Sequence, residues 1–501
     1  VKGLIVWGTS SNSGKSYIVT GLCRALSNRG WKVAPFKGQN MSNNSYVTMS
    51  GHEIGRSQGL QALAARTTPT VYMNPVLLKP QKERTSEVLI LGQSVGSPEA
   101  SDYRQNFYNK AKEAVKTSLE HLQKDYDVIV MEGAGSPAEI ILMDKDLANL
   151  ATAEIANVPA VLTSDIERGG VFASITGTLN LLPLHHQKRV KGLIINKFRG
   201  DPSLFESGET WLHEKTGIPV TGVMPTLDIP MEEEDSLSFA GMERRQEGKE
   251  RVIDVAVIAL PYVSNYTDMD PLTAEDDINL RVVHRSDQFG HPDVVLLPGT
   301  KSTIHAYQSI KRNGLLHKIK EYANEGGHVI GICGGYQMLG STLTDRWGID
   351  TGEPGVVMEG AGLLPVMTTF HKEKTTSQWS GYGKLAADQH VSLSGFEIHH
   401  GITEATYDDT WLPLVYDTEG KPEGIKSKDY RLIGTHIHHL LHNDEWRTSW
   451  LNKVRTEKDL PVKDSTAFQA RKDENLDKLA DAFEKHVDMS HIMKMIEKGL
   501  S

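Results

Sequence analysis

Gly3-Leu4-Ile5-Val6-Trp7-Gly8-Thr9-Ser10-Ser11-Asn12-Ser13-Gly14-Lys15-Ser16 stands near the start of the chain. It joins an uncharged apolar run to a loop of small residues and a lysine. Behind it, from Tyr17 to Arg29, Ile18, Leu22, Ala25 and Leu26 recur at helical spacing. Strand, small-residue loop and helix are the context a phosphate-binding loop requires. Small residues let successive backbone amides turn inward, and the helix start adds a favourable field for anions. In that reading Gly8, Thr9, Ser13 and Gly14 shape the cradle for phosphate, Lys15 sets a point charge on the terminal phosphates, and Ser16 holds Mg2+. Five residues separate Gly8 from Gly14, one more than the ordinary spacing. A glycine-softened turn with a solvated lysine is the bland alternative.

Working outward, apolar runs of strand length recur at Val33 to Phe36, Val128 to Met131, Ala160 to Thr163 and Leu193 to Asn196, with helical patterns between them. Strands apolar on both faces need helical cover on both, which predicts a mostly parallel α/β sheet. A first domain is expected over 1–235 and a solvated linker over 236–250. A second series, Val255 to Leu260, Val294 to Leu297 and His328 to Ile332, predicts another α/β domain over 251–445, with antiparallel hairpins in its Gly-, Thr- and His-rich later part. Leu476, Leu479, Ala480 and Phe483 form one helical stripe and Ile492, Met495 and Ile496 another, so 446–501 reads as a helical tail packed on the body.

Composition narrows the function. The 501 residues carry a formal charge of −10, which argues against a polyanion binder and so against nucleic acid as partner. Two cysteines, Cys23 and Cys333, are too few for a disulfide framework or an all-thiolate metal site. No run of about 18 apolar residues predicts a membrane span, and no basic leader precedes Gly3. A reducing cytoplasm is the expected compartment.

Mg2+ prefers oxygen ligands, so a carboxylate should approach Ser16. Glu132, ending the run Val128 to Met131 ahead of Gly133-Ala134-Gly135, is the first candidate, and Asp165, closing Ala160 to Ser164, the second. Lys37, Gln39 and Asn40 leave a buried run in an unusually polar block and are candidates for substrate or phosphate contact; an Asn-rich turn is the alternative.

The other chemical signal is Gly331-Ile332-Cys333-Gly334-Gly335, a nucleophile elbow with sulfur in place of oxygen. The sharp strand-to-helix turn admits only glycines beside the nucleophile and points its side chain along backbone amides. Amides near Gly299, in Leu297-Pro298-Gly299-Thr300, and at Gly334 are expected to form an oxyanion hole. A thiol attack needs an imidazole, and His399, His400, His436, His438, His439 and His442 are all available. Spacing alone does not choose among them. His436 and His438 share a face of an extended segment.

These stretches, in this order, resemble the cobyric acid synthase family over nearly the whole chain: GTSSNSGKS, APFKGQNMSNNS, GHEIGRSQGLQALAA, MNPVLLKP, EGAGSPAE, SDIERGGVFAS, NKFRGD, EEEDSL, NYTDMDPL, LLPGTKST, GICGGYQMLG and GFEIHHG. The resemblance implies an amino-terminal synthetase domain like dethiobiotin synthetase and a carboxy-terminal class I glutaminase domain of the triad type. It implies amidation of the b, d, e and g carboxylates of adenosylcobyrinic acid a,c-diamide, a corrinoid polycarboxylate, with ATP, Mg2+ and ammonia released from glutamine. By the same resemblance Cys333 is the glutaminase nucleophile and His438 its histidine, Lys15 and Ser16 hold phosphate and metal, Glu132 is the metal carboxylate, and Asn196 touches the nucleotide base. The chain departs from the family pattern at His436, His439 and Leu440, so His436 stays an alternative base and the third triad member is unassigned. Ile141 and Ile402 also replace the family's usual polar residues. The rival readings are amidation of another polycarboxylate, such as cobyrinic acid at its a and c groups, and a phosphate-loop module that binds a partner without catalysis.

Overall fold

A computed structural model describes residues 1–82, 85–97, 107–231, 252–386 and 389–500. The expected linker over 236–250 and the EEEDSL stretch from 232 to 237 lie outside the described residues. The chain divides into two compact units. One comprises Val1–Ser42, His52–Glu234 and Ala470–Ser501, the other Asn43–Gly51 and Asp235–Gln469.

In the first unit six strands form one parallel sheet in the order Val220–Pro225, Val190–Phe198, Ala160–Asp165, Gly3–Gly8, Val128–Glu132, Val33–Phe36. Leu4, Ile5, Val6 and Trp7 are fully buried, as a strand covered on both faces must be. One face packs on Lys15–Asn28, through Ile18, Val19, Leu22 and Leu26, and on the tail helices, through Leu476, Leu479, Phe483, Ile492 and Ile496. Gly21 is the close approach: a Cβ there would lie 2.2 Å from the Phe483 ring. The opposite face packs on Tyr108–Asp125 through Ala111, Val115, Leu119 and Leu122. Gly8, Glu132 and Asp165 are the last residues of three adjacent strands, so the sheet itself carries the loop glycine and both carboxylates to one edge.

In the second unit the strands Ile278–Val283, Ile253–Ile258, Val294–Leu297, His328–Ile332 and Leu432–Thr435 run parallel in that order. The sheet continues through antiparallel strands, Pro422–Ser427, Trp411–Asp417 and the long hairpin Val366–Ala386 with Gln389–Ala405. Asn43–Gly51 belongs to this unit although its sequence neighbours do not: Val47 packs with Phe396 and Ile398, and the Ser45 amide donates to Asn265 Oδ1 at 3.0 Å. The helix Asp444–Glu457 also belongs here, where buried Arg447 and Arg455 both pair with Glu275.

Candidate active sites

Cys333 sits between the strand His328–Ile332 and the helix Gly334–Leu339 with φ 51° and ψ −111°. A side chain in that region stores strain of about 1–3 kcal/mol, held only because the surroundings leave no other path. The flanking glycines explain how. A Cβ on Gly331 would lie 2.7 Å from the Gly335 carbonyl oxygen, and one on Gly335 would lie 2.1 Å from the Leu297 carbonyl oxygen. The thiol is buried, with Sγ 3.6 Å from the carbonyl oxygen of Ile398.

His438 is the imidazole that meets Cys333. Its Nδ1 lies 2.7 Å from Asp268 Oδ2, and Nε2 lies 3.3 Å from Asn265 Nδ2. Asp268 Oδ1 in turn accepts the backbone N–H of His439 at 2.7 Å, so the carboxylate is fixed from both sides. Phe396 stacks on the His438 ring, centroids 5.1 Å apart. Burial pulls the His438 pKa down, but the charge and hydrogen bond of Asp268, with the hydrogen bond and charge of Cys333, outweigh it and bring the value up to about 10.

His436 is placed differently. Its Nε2 faces Gln337 Nε2 at 3.3 Å and Thr403 Oγ1 at 3.2 Å, and its ring stacks on His399. Burial, helped by His399 and His438, drives its pKa well below the ordinary value. It is a neutral neighbour of the pair, and its Nδ1 lies 3.7 Å from Glu423 Oε1.

Gly299 lies against the same imidazole: a Cβ on it would be 3.0 Å from His438 Cε1. Its carbonyl oxygen accepts from the Ser264 amide at 3.0 Å. A Cβ on Gly334 would be 3.2 Å from the Thr300 amide nitrogen, so the Gly299–Thr300 turn and the Gly334 amide border one space beside Cys333.

Asp268 is the residue the sequence reading left without a role. It occupies a single turn, Tyr266–Met269, inside the quoted NYTDMDPL stretch. An acid in a motif that no other function absorbed was the only signal.

In the first unit Ser16 Oγ donates to Glu132 Oε1 at 2.8 Å, Lys37 Nζ pairs with the same oxygen at 2.8 Å, and Gln61 Nε2 donates to Oε2 at 2.5 Å. Hydroxyl and carboxylate are the hard oxygen donors that suit Mg2+. Asp165 is not part of that pair. Its Oδ2 pairs with Lys197 at 2.9 Å and its Oδ1 accepts the Glu167 amide at 2.8 Å.

The loop fits phosphate. Ser13 Oγ is buried with no hydrogen-bond partner among the described residues, an acceptor and donor held ready for an incoming oxygen. Lys15 Nζ reaches the carbonyl oxygens of Ser10 at 3.0 Å and Gly135 at 2.8 Å, spanning the loop mouth. Gly14 has φ +92°, and a Cβ there would strike Asn196 Nδ2 at 1.9 Å. That nitrogen donates to the Ser13 carbonyl at 3.1 Å, so Asn196 braces the loop from beneath. Thr9 Oγ1 meets Ser164 Oγ at 2.9 Å. Asn40 is buried and donates to Gln58 Oε1 at 3.0 Å, while Gln39 is half-buried on the short strand Gln39–Met41.

Residues 4–236 match the model of a CobQ/CobB/MinD/ParA nucleotide binding domain, and residues 254–446 that of a CobB/CobQ-like glutamine amidotransferase domain. The chain is 45% identical to a cobyric acid synthase of Geobacillus kaustophilus (strain HTA426), over 98% of this chain and 97% of that one. It is 43% identical to a cobyric acid synthase of Synechocystis sp. (strain ATCC 27184 / PCC 6803 / Kazusa), over 99% of each. Among the described residues no helix is long and apolar enough to cross a membrane.

Proposed function

The chain belongs to the cobyric acid synthase family, and from that premise we propose which of its residues carry each half of the reaction. It is a glutamine-hydrolysing carbon–nitrogen ligase of cobalamin biosynthesis that amidates the b, d, e and g carboxylates of adenosylcobyrinic acid a,c-diamide at the expense of ATP. Its substrates are therefore small molecules.

The reading of the glutaminase half rests on one observation, the Cys333–His438–Asp268 constellation. With its pKa up to about 10, His438 carries a proton at neutral pH and Asp268 balances that charge. The sulfur of Cys333 attacks the side-chain amide carbon of glutamine. The amides at Gly334 and in the Gly299–Thr300 turn receive the oxyanion. His438 gives its proton to the departing nitrogen, which leaves as ammonia. Water, deprotonated by His438, then hydrolyses the glutamyl thioester, releasing glutamate and returning Cys333 and the protonated His438 to their starting state.

In the synthetase half a substrate carboxylate attacks the γ-phosphorus of ATP, ADP leaves, and an acyl phosphate forms. Lys15 offsets charge on the transferred group, and Gly8, Thr9, Ser13 and Gly14 hold the phosphates. Asn196 supports that loop and is assigned to the nucleotide base. Mg2+, bound by Ser16 and Glu132, would neutralise phosphate charge; Asp165 is the reserve carboxylate. Lys37, Gln39 and Asn40 are assigned to the substrate or phosphate side. Ammonia then attacks the acyl carbon and phosphate departs, leaving the amide.

The same reading assigns 1–235 to the synthetase, 251–445 to the glutaminase and 446–501 to the helical tail, although Asn43–Gly51 and residues 446–469 lie in the second compact unit. A free thiol nucleophile and ATP as substrate are the chemistry of the cytoplasm, where we place the chain. The test is mass spectrometry of the product made from the a,c-diamide, ATP and glutamine. Four replacements of OH by NH2 support the assignment; two replacements on cobyrinic acid, with none on the a,c-diamide, overturn it.

A further inference from the structure

Beside Cys333, on the strand Gln389–Ala405, a carboxylate and an imidazole face each other. His399 Nδ1 lies 2.7 Å from the Gly401 carbonyl oxygen, so that nitrogen donates there, and in the neutral imidazole Nε2 bears the lone pair. Nε2 is buried and has no hydrogen-bond partner among the described residues. Glu397 Oε1 lies 3.5 Å from it. The side chains are 9% and 18% exposed, so the pair is enclosed yet open on one side. A carboxylate and an imidazole lone pair set this way are completed by a cation. Between them sits Ile398, whose carbonyl oxygen is the one touching Cys333 Sγ.

Resting on the glutaminase reading above, we propose that Glu397 and His399 receive the α-ammonium group of the substrate glutamine, and so fix which amide-bearing molecules reach Cys333. Glutamine carries its cation a few bonds from the amide that the sulfur attacks, and the pair flanks the residue that touches that sulfur. The charge logic is local. Glu423, behind the pair, is pushed up to about 7 by burial and by Glu397, and it accepts from Thr435 Oγ1 at 2.6 Å and the His436 amide at 2.8 Å, so it is already engaged. Glu397 is left to meet the ligand.

The same residues, with His436, also lie close enough to share a metal ion. Two observations favour an ammonium. The His399 and His436 rings are stacked, centroids 4.0 Å apart and planes 20° from parallel, so their lone pairs run side by side instead of converging as a tetrahedral site demands. The Nε2 of His436 is moreover turned to Gln337 and Thr403. A soft ion here would also compete for the Cys333 thiolate.

The experiment compares glutamine with its desamino analogue, 4-carbamoylbutanoate, as substrates for ammonia release by the full-length chain, and repeats both in Glu397→Gln and His399→Phe. The unaltered chain should prefer glutamine by on the order of 10²-fold or more in kcat/KM, because the analogue leaves the acceptors unpaired. Glu397→Gln should raise KM for glutamine more than it lowers kcat, and both variants should narrow the preference. Equal use of the two compounds by the unaltered chain overturns the proposal without any variant. So does a variant with an unchanged preference, or stoichiometric zinc in the purified chain whose removal abolishes glutaminase activity. Failure of the unaltered chain to release ammonia from glutamine would instead overturn the glutaminase reading itself.

Discussion

Asp268 and His438 meet at 2.7 Å across 170 residues of sequence, joining a single-turn helix to the segment that follows the last parallel strand of the second unit. Asp268→Asn should keep the side-chain shape but lose the charge that orients and protonates His438. Glutamine hydrolysis is expected to fall about 10²–10⁴-fold in kcat, read as glutamate release. Amidation supplied with ammonium salt should persist, since nothing in that step uses Asp268.

The two centres predict opposite patterns of nitrogen dependence. Cys333→Ala should abolish use of glutamine and leave ammonium-supported amidation. Lys15→Ala should abolish ATP-dependent amidation from both nitrogen sources. Product formation from each source, with each variant, is the measurement.

Gly14→Ala should damage the ATP site specifically. Its φ of +92° is strained for any Cβ, and the added methyl would strike Asn196 Nδ2 at 1.9 Å. The expected outcome is a tenfold or greater rise in KM for ATP, on the order of 1.4 kcal/mol, with glutamine hydrolysis little changed.

Glu132→Gln should have two readouts. The Mg2+ concentration for half-maximal amidation should rise, since a hard carboxylate oxygen beside Ser16 is lost. Stability should fall in urea denaturation, because the buried Lys37 ammonium loses the Glu132 charge at 2.8 Å.

The His438 shift also predicts a pH dependence of stability. The folded-state pKa is raised, from the ordinary 6.5 to about 10, so the folded protein binds the proton more tightly than the unfolded chain. The stabilisation is complete below about pH 6.5 and is lost as pH rises through about 10. Thermal melts between pH 7 and pH 10 should show a declining midpoint, and Asp268→Asn should flatten that decline.

Much of the fold was legible in the chain, and the omissions have a common cause. The central strands, such as Leu4 to Trp7 and Val255 to Ile258, are apolar on both faces and announce themselves. Val220–Pro225 and Ile278–Val283 lie at sheet edges, and the second of these alternates buried with half-buried residues through Asn279 and Arg281, so neither forms a continuous apolar run. The assignment of Asn43–Gly51 to the second unit had no local sign either, since Val47 finds its apolar neighbours at Phe396 and Ile398.

The amino-acid sequence by itself determined the two reactive loops. A loop of small residues before Lys15, and glycines at 331, 334 and 335 around Cys333, act on backbone bonds one or two residues away, and such short-range sterics are readable in order. The family resemblance pointed to His438, but tertiary structure alone set Asp268 beside it. His436 and His438 lie two residues apart, yet one stacks on His399 while the other meets Asp268, because partners come from strands and turns far away in sequence. Only the closing of the sheet brings those groups within the few ångströms over which a proton is shared.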